Sequence, residues 1–352
     1  MAKNNNSTLL VIVNSSIRPA IQEALDQYEH DVKGIEGHDV IMVDHVSGAP
    51  PDLKALILGY YTSLSSSHPL IGCLFVGDLP IPWFGDPANK SPIDMYYMDL
   101  QGDWEDTDGD GIFDQLPLDP DPLIWIGRLV ASPIDGVETD LLKNYFDIIH
   151  RYRIGQLDNT ERAMAYVDDD WIPKGDYGMS SAYQNVTVIN DVTTTNADDY
   201  VNRLNENYEF IHVAVHSTPF CHTFKQDHNW NGSVSNTRIL NLNPQPAFYC
   251  LDACQSARYT ENNYIGGCYI FSRGHCLAVI GETKNANSMD GPNEFYSYFG
   301  DGLSLGESFI KWLKNGRVNY HLDRTILGDP TLRRKSHYIS PPSGLRNVST
   351  ED

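Results

Sequence analysis

The chain has no run of about 18 apolar residues, which excludes a membrane-spanning helix of the ordinary kind. Positive charge is scarce: 25 Lys and Arg stand against 47 Asp and Glu, a formal net charge of −22. That balance argues against nucleic acid or an anionic membrane surface as partner and suits attraction of cationic ligands. Cysteine is too sparse for a disulfide framework. The six are Cys73, Cys221, Cys250, Cys254, Cys268 and Cys276, and four fall in apolar stretches where a reduced, buried thiol is expected. The opening MAKNNNSTLLVIV lacks the charged-then-apolar layout and cleavage site of a signal peptide, and a strand begins almost at once. This reading leaves room for a leader or pro-segment already removed. No internal repeat is visible.

What is present is a globular composition. Hydrophobic residues make up 41% of 352, enough for two domains or one large two-part α/β unit. Strand patterns at residues 9–13, 38–43 and 71–76 alternate with helix patterns at 17–28 and 53–64, the spacing of βαβ units in a mainly parallel sheet. A strand at 123–129 precedes a helix over 135–153, capped by Asp135. The Gly- and Asn-containing segment 154–160 marks a boundary. It divides an N-terminal α/β subdomain (1–155) from a second (156–335), with 336–352 as a polar tail. The second half offers strands at 163–167, 186–189 and 210–215, a helix at 196–207, and further helical cover from 291 onward.

Residues 86–121 hold eleven aspartates and glutamates against the single cation Lys90, a density that repels itself unless a cation sits within it. Within them Asp106-Thr107-Asp108-Gly109-Asp110-Gly111 has the alternating oxygens and sixth-position glycine of a calcium loop. Ile112 supplies a backbone carbonyl at the seventh position and Asp114 falls at the ninth. The twelfth is Pro117, so a bidentate ligand has to come from elsewhere, with Asp119 and Asp121 available. The Pro-rich flanks exclude the two helices of an EF-hand. A structural calcium ion is the expected cofactor.

The stretch AFYCLDACQSARYTENNYIGGCYIFSRGHCLAVIGET, residues 247–283, organises the rest. The apolar run 247–251 reads as a buried strand ending at Asp252-Ala253-Cys254. A helix over 264–271 and a strand over 277–280 follow it. Cys254 therefore sits at a strand's carboxyl end, where open α/β sheets place ligands. Upstream, FIHVAVH ends at His216 before Ser217-Thr218-Pro219, so His216 lies at another carboxyl end. If the two strands are neighbours, roughly 5 Å apart, thiol and imidazole face one crevice. Thiol–imidazole catalysis needs that arrangement. Asp78, at the carboxyl end of the 71–76 strand, is a candidate to orient the imidazole. A zinc site built from His212, His222, His228 and Cys250 or Cys254 is the alternative, though its spacing matches no common zinc pattern.

The order strand-His, then strand-Asp-Ala-Cys, resembles that of the caspase-like cysteine peptidases. VGDLPIPWF at 76–84, IDMYYMDL at 93–100, WIGRLVA at 125–131 and ILGDPTLR at 326–333 resemble gingipain-type segments in the same order. The resemblance spans roughly residues 8 to 334. It implies a three-layer caspase-like α/β fold with helices on both faces, in two side-by-side subdomains. It also implies an endopeptidase with Cys254 as nucleophile, His216 as general acid, and the backbone N–H groups of Ser217 and Cys254 as oxyanion donors. In that reading Asp94 lies at the floor of the S1 pocket and selects a basic P1 residue, Arg or Lys. By position, Glu282, Thr283 and the following loop with Ser288 form the opposite wall. One departure is plain: Ser217 stands where such peptidases usually have glycine. The implied partner is a polypeptide substrate, and the implied compartment is extracellular or periplasmic, with a cytoplasmic location as the alternative. The rivals are an inactive scaffold module of the same fold, and a transpeptidase using the same two side chains.

Overall fold

Apolar strands and helices alternate from the start of the chain, as a computed structural model shows for residues 7–64, 66–285 and 288–339. Strand β1 (Ser7–Asn14) leads into α1 (Arg18–Asp31), β2 (His38–His45), α2 (Pro50–Ser63) and β3 (Leu70–Val76). β1 pairs in parallel with both β2 and β3. A strand paired on both edges and covered on both faces has to be apolar along its length, and Thr8 to Val13 are all buried. β2 is the sheet edge and keeps exposed Asp39 and Asp44. Pro50 starts α2, and the Asp52 carboxylate reaches back to accept the Ala49 N–H at 2.8 Å, satisfying one donor at that end.

The acidic region contributes only a short pair, β4 (Trp83–Phe84) and β5 (Ser91–Pro92), and one turn of helix, α3 (Met95–Met98). Then β6 (Trp125–Leu129) joins the sheet beside β3, and α4 (Glu138–Arg153) follows. α4 begins later than Asp135 because Gly136, at φ +139°, turns the chain off the helical path. The second half supplies β7 (Ala163–Val167), β8 (Val186–Ile189), α5 (Ala197–Arg203) and β9 (Phe210–Ala214). An antiparallel unit follows: β10 (His216–Thr218), β11 (Cys221–Gln226) and β12 (Asn229–Ser235). Next come α6 (Asn236–Asn241), β13 (Phe248–Asp252), α7 (Ile265–Ile270), β14 (Ala278–Glu282), α8 (Pro292–Gly300), α9 (Leu305–Lys314), β15 (Arg324–Gly328) and α10 (Lys335–Ile339).

Ten strands form one sheet in the order β2-β1-β3-β6-β15-β14-β13-β9-β7-β8. Every neighbouring pair is parallel except β14 against β15. The strands of the two halves share this single sheet. β15, from the end of the chain, sits between β6 of the first half and β14 of the second. The boundary at residue 155 is thus a boundary in sequence only.

A buried charge network seals the same join. Arg153, at the end of α4, donates to Asp329 at 2.6 Å, Thr331 at 2.8 Å and Glu36 at 2.9 Å. Tyr338 of α10 donates to Glu36 at 2.7 Å. The expected polar tail therefore starts later: residues 336–339 belong to a packed turn of helix, and 340–352 lie outside the described residues.

Candidate functional site

β9 and β13 are parallel neighbours, with His212 opposite Cys250 and Ala214 opposite Asp252. His216 and Cys254 each follow the last of those pairs by two residues. The two residues therefore lie just beyond adjacent carboxyl ends, on strands about 5 Å apart. The register does this without any long-range loop.

The backbone around Cys254 is a sharp elbow. Gln255, directly after it, has φ +55°, a left-handed conformation rare for a residue with a side chain. The turn is held from several sides. Gln255 N–H donates to the Lys284 carbonyl at 2.7 Å, Ala257 N–H to the Glu282 carbonyl at 2.9 Å, and Ser256 Oγ to the Leu251 carbonyl at 3.1 Å. Gly281 is required beneath it, since a Cβ there would lie 2.8 Å from Ser256 Oγ. Cys254 is half-buried, and among the described residues its sulfur has no hydrogen-bond partner. Cys73, Cys250, Cys268 and Cys276 are buried, and burial pushes all four thiols up, Cys268 to about 12. Those four are unreactive packing groups.

His216 is oriented by a carboxylate absent from the sequence-level reading. Its Nε2 lies 2.7 Å from Asp170 Oδ2, and Lys225 Nζ donates to the same oxygen at 2.6 Å. These contacts, the lysine first, hold the Asp170 carboxyl below its usual range, so it is ionised at neutral pH. An ionised carboxylate fixes the proton on Nε2 and leaves Nδ1 as the free nitrogen, which has no hydrogen-bond partner among the described residues. Asp170 sits just past β7, the neighbour of β9 on the side away from β13. It thus obeys the strand-end rule that singled out His216 and Cys254. Two indoles touch the imidazole, Trp171 at 4.7 Å and Trp230 at 4.9 Å between ring centres.

Asp78 does not fill the orienting role. It is exposed, accepts from Ser132 Oγ at 2.6 Å, and follows β3, five strands from β9 in the sheet order. At ~4.8 Å per strand that is ~24 Å.

Asp94 is not the floor of an open pocket. It is buried, accepts from Arg128 Nε at 2.6 Å, and takes further hydrogen bonds from Thr325 Oγ1 and Tyr259 OH. The Arg128 guanidinium in turn lies 4.7 Å from the Tyr259 ring and 4.9 Å from that of Phe75. Glu282 is likewise buried and paired, 2.6 Å from Arg324. Thr283 turns its hydroxyl inward to the Pro92 carbonyl at 2.6 Å. Neither acid is free to receive a substrate cation. Of the three residues named for the expected wall, Ser288 alone is partly exposed; in the loop before it Lys284 is half-buried and Asn285 exposed, and 286–287 lie outside the described residues. It donates to Asp252 at 3.0 Å, beside the Met289 N–H, which also binds that carboxylate. Burial would raise the Asp252 carboxyl, but neighbouring His212 and Arg324 outweigh it and hold it far below the usual range. Asp252 thereby ties the loop around Met289 to the strand that bears Cys254.

Ser217 keeps an ordinary backbone conformation, since it is not among the residues at positive φ. Its Oγ bonds the Thr218 and Cys221 carbonyls at 2.9 and 3.1 Å, inside the β10–β11 hairpin.

The zinc alternative does not assemble. His212 stacks on Tyr177 at 3.9 Å and hydrogen-bonds Tyr296 at 2.7 Å, while His222 is buried between the Tyr200 and Tyr269 rings. Among the described residues, the one convergent group of potential ligands is Asp106, Asp108 and Asp110, with ligand oxygens within 4.8 Å of one another. Asp106 also accepts the N–H groups of Gly109 and Gly111 at 2.8 Å, which curls the loop around its own carboxylate. This all-oxygen set fits a hard cation such as calcium. Asp114, by contrast, faces Thr107, which donates to it through N–H and Oγ1, and Asp121 pairs with Lys314 at 2.8 Å.

No protein-family model matches the chain, and no curated protein does. Solved structures match it over nearly its whole length. The crystal structure of gingipain R, described as an Arg-specific cysteine proteinase, aligns with a TM-score of 0.66 at 15% identity, over 95% of this chain and 79% of that one. A complex of Porphyromonas gingivalis RgpB pro- and mature domains aligns at 0.65 and 15% identity, over 93% and 79%. A structure described as a protease gives 0.66 and 14%, over 93% and 78%. At such identities the likeness is one of fold: this is the caspase-like α/β architecture of those proteins.

Proposed function

We propose that this chain, which has the caspase-like α/β fold of gingipain R, is a cysteine endopeptidase with Cys254 as nucleophile and His216 as its acid and base. The observation that supports the reading is the β9–β13 pairing, whose last pair, Ala214 and Asp252, precedes His216 and Cys254 by two residues each. Nδ1 of His216 takes the Cys254 thiol proton, the thiolate adds to the peptide carbonyl carbon, and the oxyanion is met by the N–H groups of Ser217 and Cys254. His216 gives the Nδ1 proton to the leaving nitrogen as the C–N bond breaks, leaving a thioester and a free amine. It then takes a proton from the water that attacks the thioester and returns it to the departing sulfur, which releases the acid and restores the thiol. Asp170 holds the imidazole in the tautomer this sequence needs. Asp94 and Glu282 each already hold an arginine, so neither is proposed to select a basic P1 residue.

Asp106, Asp108 and Asp110 would hold a calcium ion that neutralises the acidic loop and stiffens it. The resemblance in sequence implies action outside the cytoplasm, which fractionation of the producing cells tests. No helix among the described residues is long and apolar enough to cross a membrane.

The decisive experiment is cleavage of a mixed peptide library by the wild type and Cys254→Ala. Loss of all cleavage in the variant, with selective iodoacetamide labelling of Cys254 in the wild type, is the expected result. Cleavage retained by Cys254→Ala overturns the assignment. An added amine incorporated into the product would make the enzyme a transpeptidase, and an unlabelled thiol would make it a scaffold.

A further inference from the structure

The surroundings of His216 are aromatic, and the proposed chemistry leaves these rings without a task. Trp171 and Trp230 lie 4.7 and 4.9 Å from the imidazole, centre to centre. Trp230 is held in place on one side, with Lys225 Nζ 4.9 Å from its ring and bonded at 2.6 Å to Asp170. It is nevertheless 62% exposed, and Phe220 at the β10–β11 turn is 46% exposed. A pinned indole left largely open to water presents a rigid apolar surface at little entropic cost, the kind of surface that binding hot spots use. The formal charges beside it, Asp170 and Lys225, neutralise each other.

The side of the scissile bond that meets these rings follows from the role of His216. A general acid has to come within about 3 Å of the leaving nitrogen. The residue that begins with that nitrogen therefore starts beside the imidazole, and its side chain falls within reach of both indoles. Residues on the acyl side are placed instead by Cys254 and the oxyanion donors.

Resting on the peptidase reading, we propose that Trp171 and Trp230 select an apolar, preferably aromatic, side chain on the residue immediately after the scissile bond. The test uses quenched fluorogenic peptides that share one acyl-side sequence and differ only at that residue: Phe, Leu, Ser, Gly, Asp and Lys. Affinity is measured on full-length Cys254→Ala protein and kcat/KM on the wild type. The Phe peptide is expected to bind, and to be cleaved, about tenfold better than the Gly peptide, the scale of one aromatic contact. Trp230→Ala, made in each background, reduces that ratio to about twofold or less, while Trp230→Phe keeps most of it. Equal affinity for the Phe and Gly peptides, or a ratio unchanged by Trp230→Ala, overturns the proposal. Because affinity is read on a protein without the thiol, selective binding without cleavage by the wild type would sink the dyad and leave the selectivity standing.

Discussion

Replacing Asp170 by asparagine isolates the contribution of a carboxylate that acts only through another residue. The amide is nearly isosteric but can offer its NH2 to Nε2, which moves the imidazole proton to Nδ1 and removes the free nitrogen that the proposed thiol chemistry uses. In a fully buried triad such a change costs about 10⁴ in kcat. Here the side chains of His216 and Asp170 are 36% and 38% exposed, and Lys225 shares the carboxylate. Water can therefore solvate either tautomer, and the discounted loss is roughly 1–2 kcal/mol. At 1.36 kcal/mol per factor of ten, kcat falls about five- to thirtyfold with KM little changed. Asp170→Glu should restore part of the rate. Because Lys225 and His216 hold the carboxyl below its ordinary value, the orienting charge is present at every pH above about 4 and is lost only as the solution becomes more acid than that. The assay is kcat and KM against pH from 4 to 9 for wild type, Asp170→Asn and Asp170→Glu, with a thermal melt to confirm folding. An unchanged kcat would reduce Asp170–His216 to an ordinary surface ion pair. A loss beyond a thousandfold would refute the discount for exposure.

Asp94→Asn should lower stability by about 3–5 kcal/mol, read as a fall in denaturation midpoint, because it strands the buried Arg128 guanidinium. A selective loss of Arg- or Lys-ended substrates at unchanged stability would instead restore its pocket role. Saturating calcium should raise the melting temperature in proportion to about 2.7 kcal/mol at a hundredfold excess over Kd, and the double change Asp108→Asn, Asp110→Asn should abolish the rise. No difference between calcium and chelator removes the ion from the loop. His222 is buried, and burial lowers its pKa to about 3 from the ordinary 6.5. The unfolded chain thus binds the proton first, and stability falls by on the order of 1.4 kcal/mol per pH unit from about 6.5 towards about 3. His222→Phe should flatten that decline in an acid melting series, and identical curves would refute the assignment.

The sheet was legible because its strands announce themselves: LLVIV, IGCLFV, FIHVAV and FYCL are apolar runs of strand length between turn signals. The strand-end rule singles out His216 and Cys254 on the same ground, since each lies within a few residues of the end of such a run. Asp170 satisfied the rule equally, in the Asp168-Asp169-Asp170-Trp171 segment after AMAYV, and was passed over because nothing local ties it to His216. Pairings between distant segments were beyond the sequence. Asp94 meets Arg128 across a loop of the first half, Glu282 meets Arg324 only because β15 enters between the two halves, and RTILG carries an arginine and a glycine at its ends that hide it as a strand. The β10–β12 unit was missed because CHTFKQ and NWNGSVS are polar. They pair along the backbone and need no second buried face.

Ser217 decides whether a live site is plausible at all, since a residue with a Cβ after the histidine could signal decay. Glycine is indispensable in two situations: where φ is positive, or where backbone and substrate must approach more closely than a Cβ permits. The first does not hold, because Ser217 has an ordinary φ. Against the second, the hydroxyl is already engaged by the Thr218 and Cys221 carbonyls within the hairpin. Ser217→Gly should therefore leave kcat/KM within about twofold and cost about 0.5–1 kcal/mol of stability through added freedom in the unfolded chain. A rise of tenfold or more in kcat/KM would show that the serine obstructs the substrate, and the chain would then be an enzyme held back at one position.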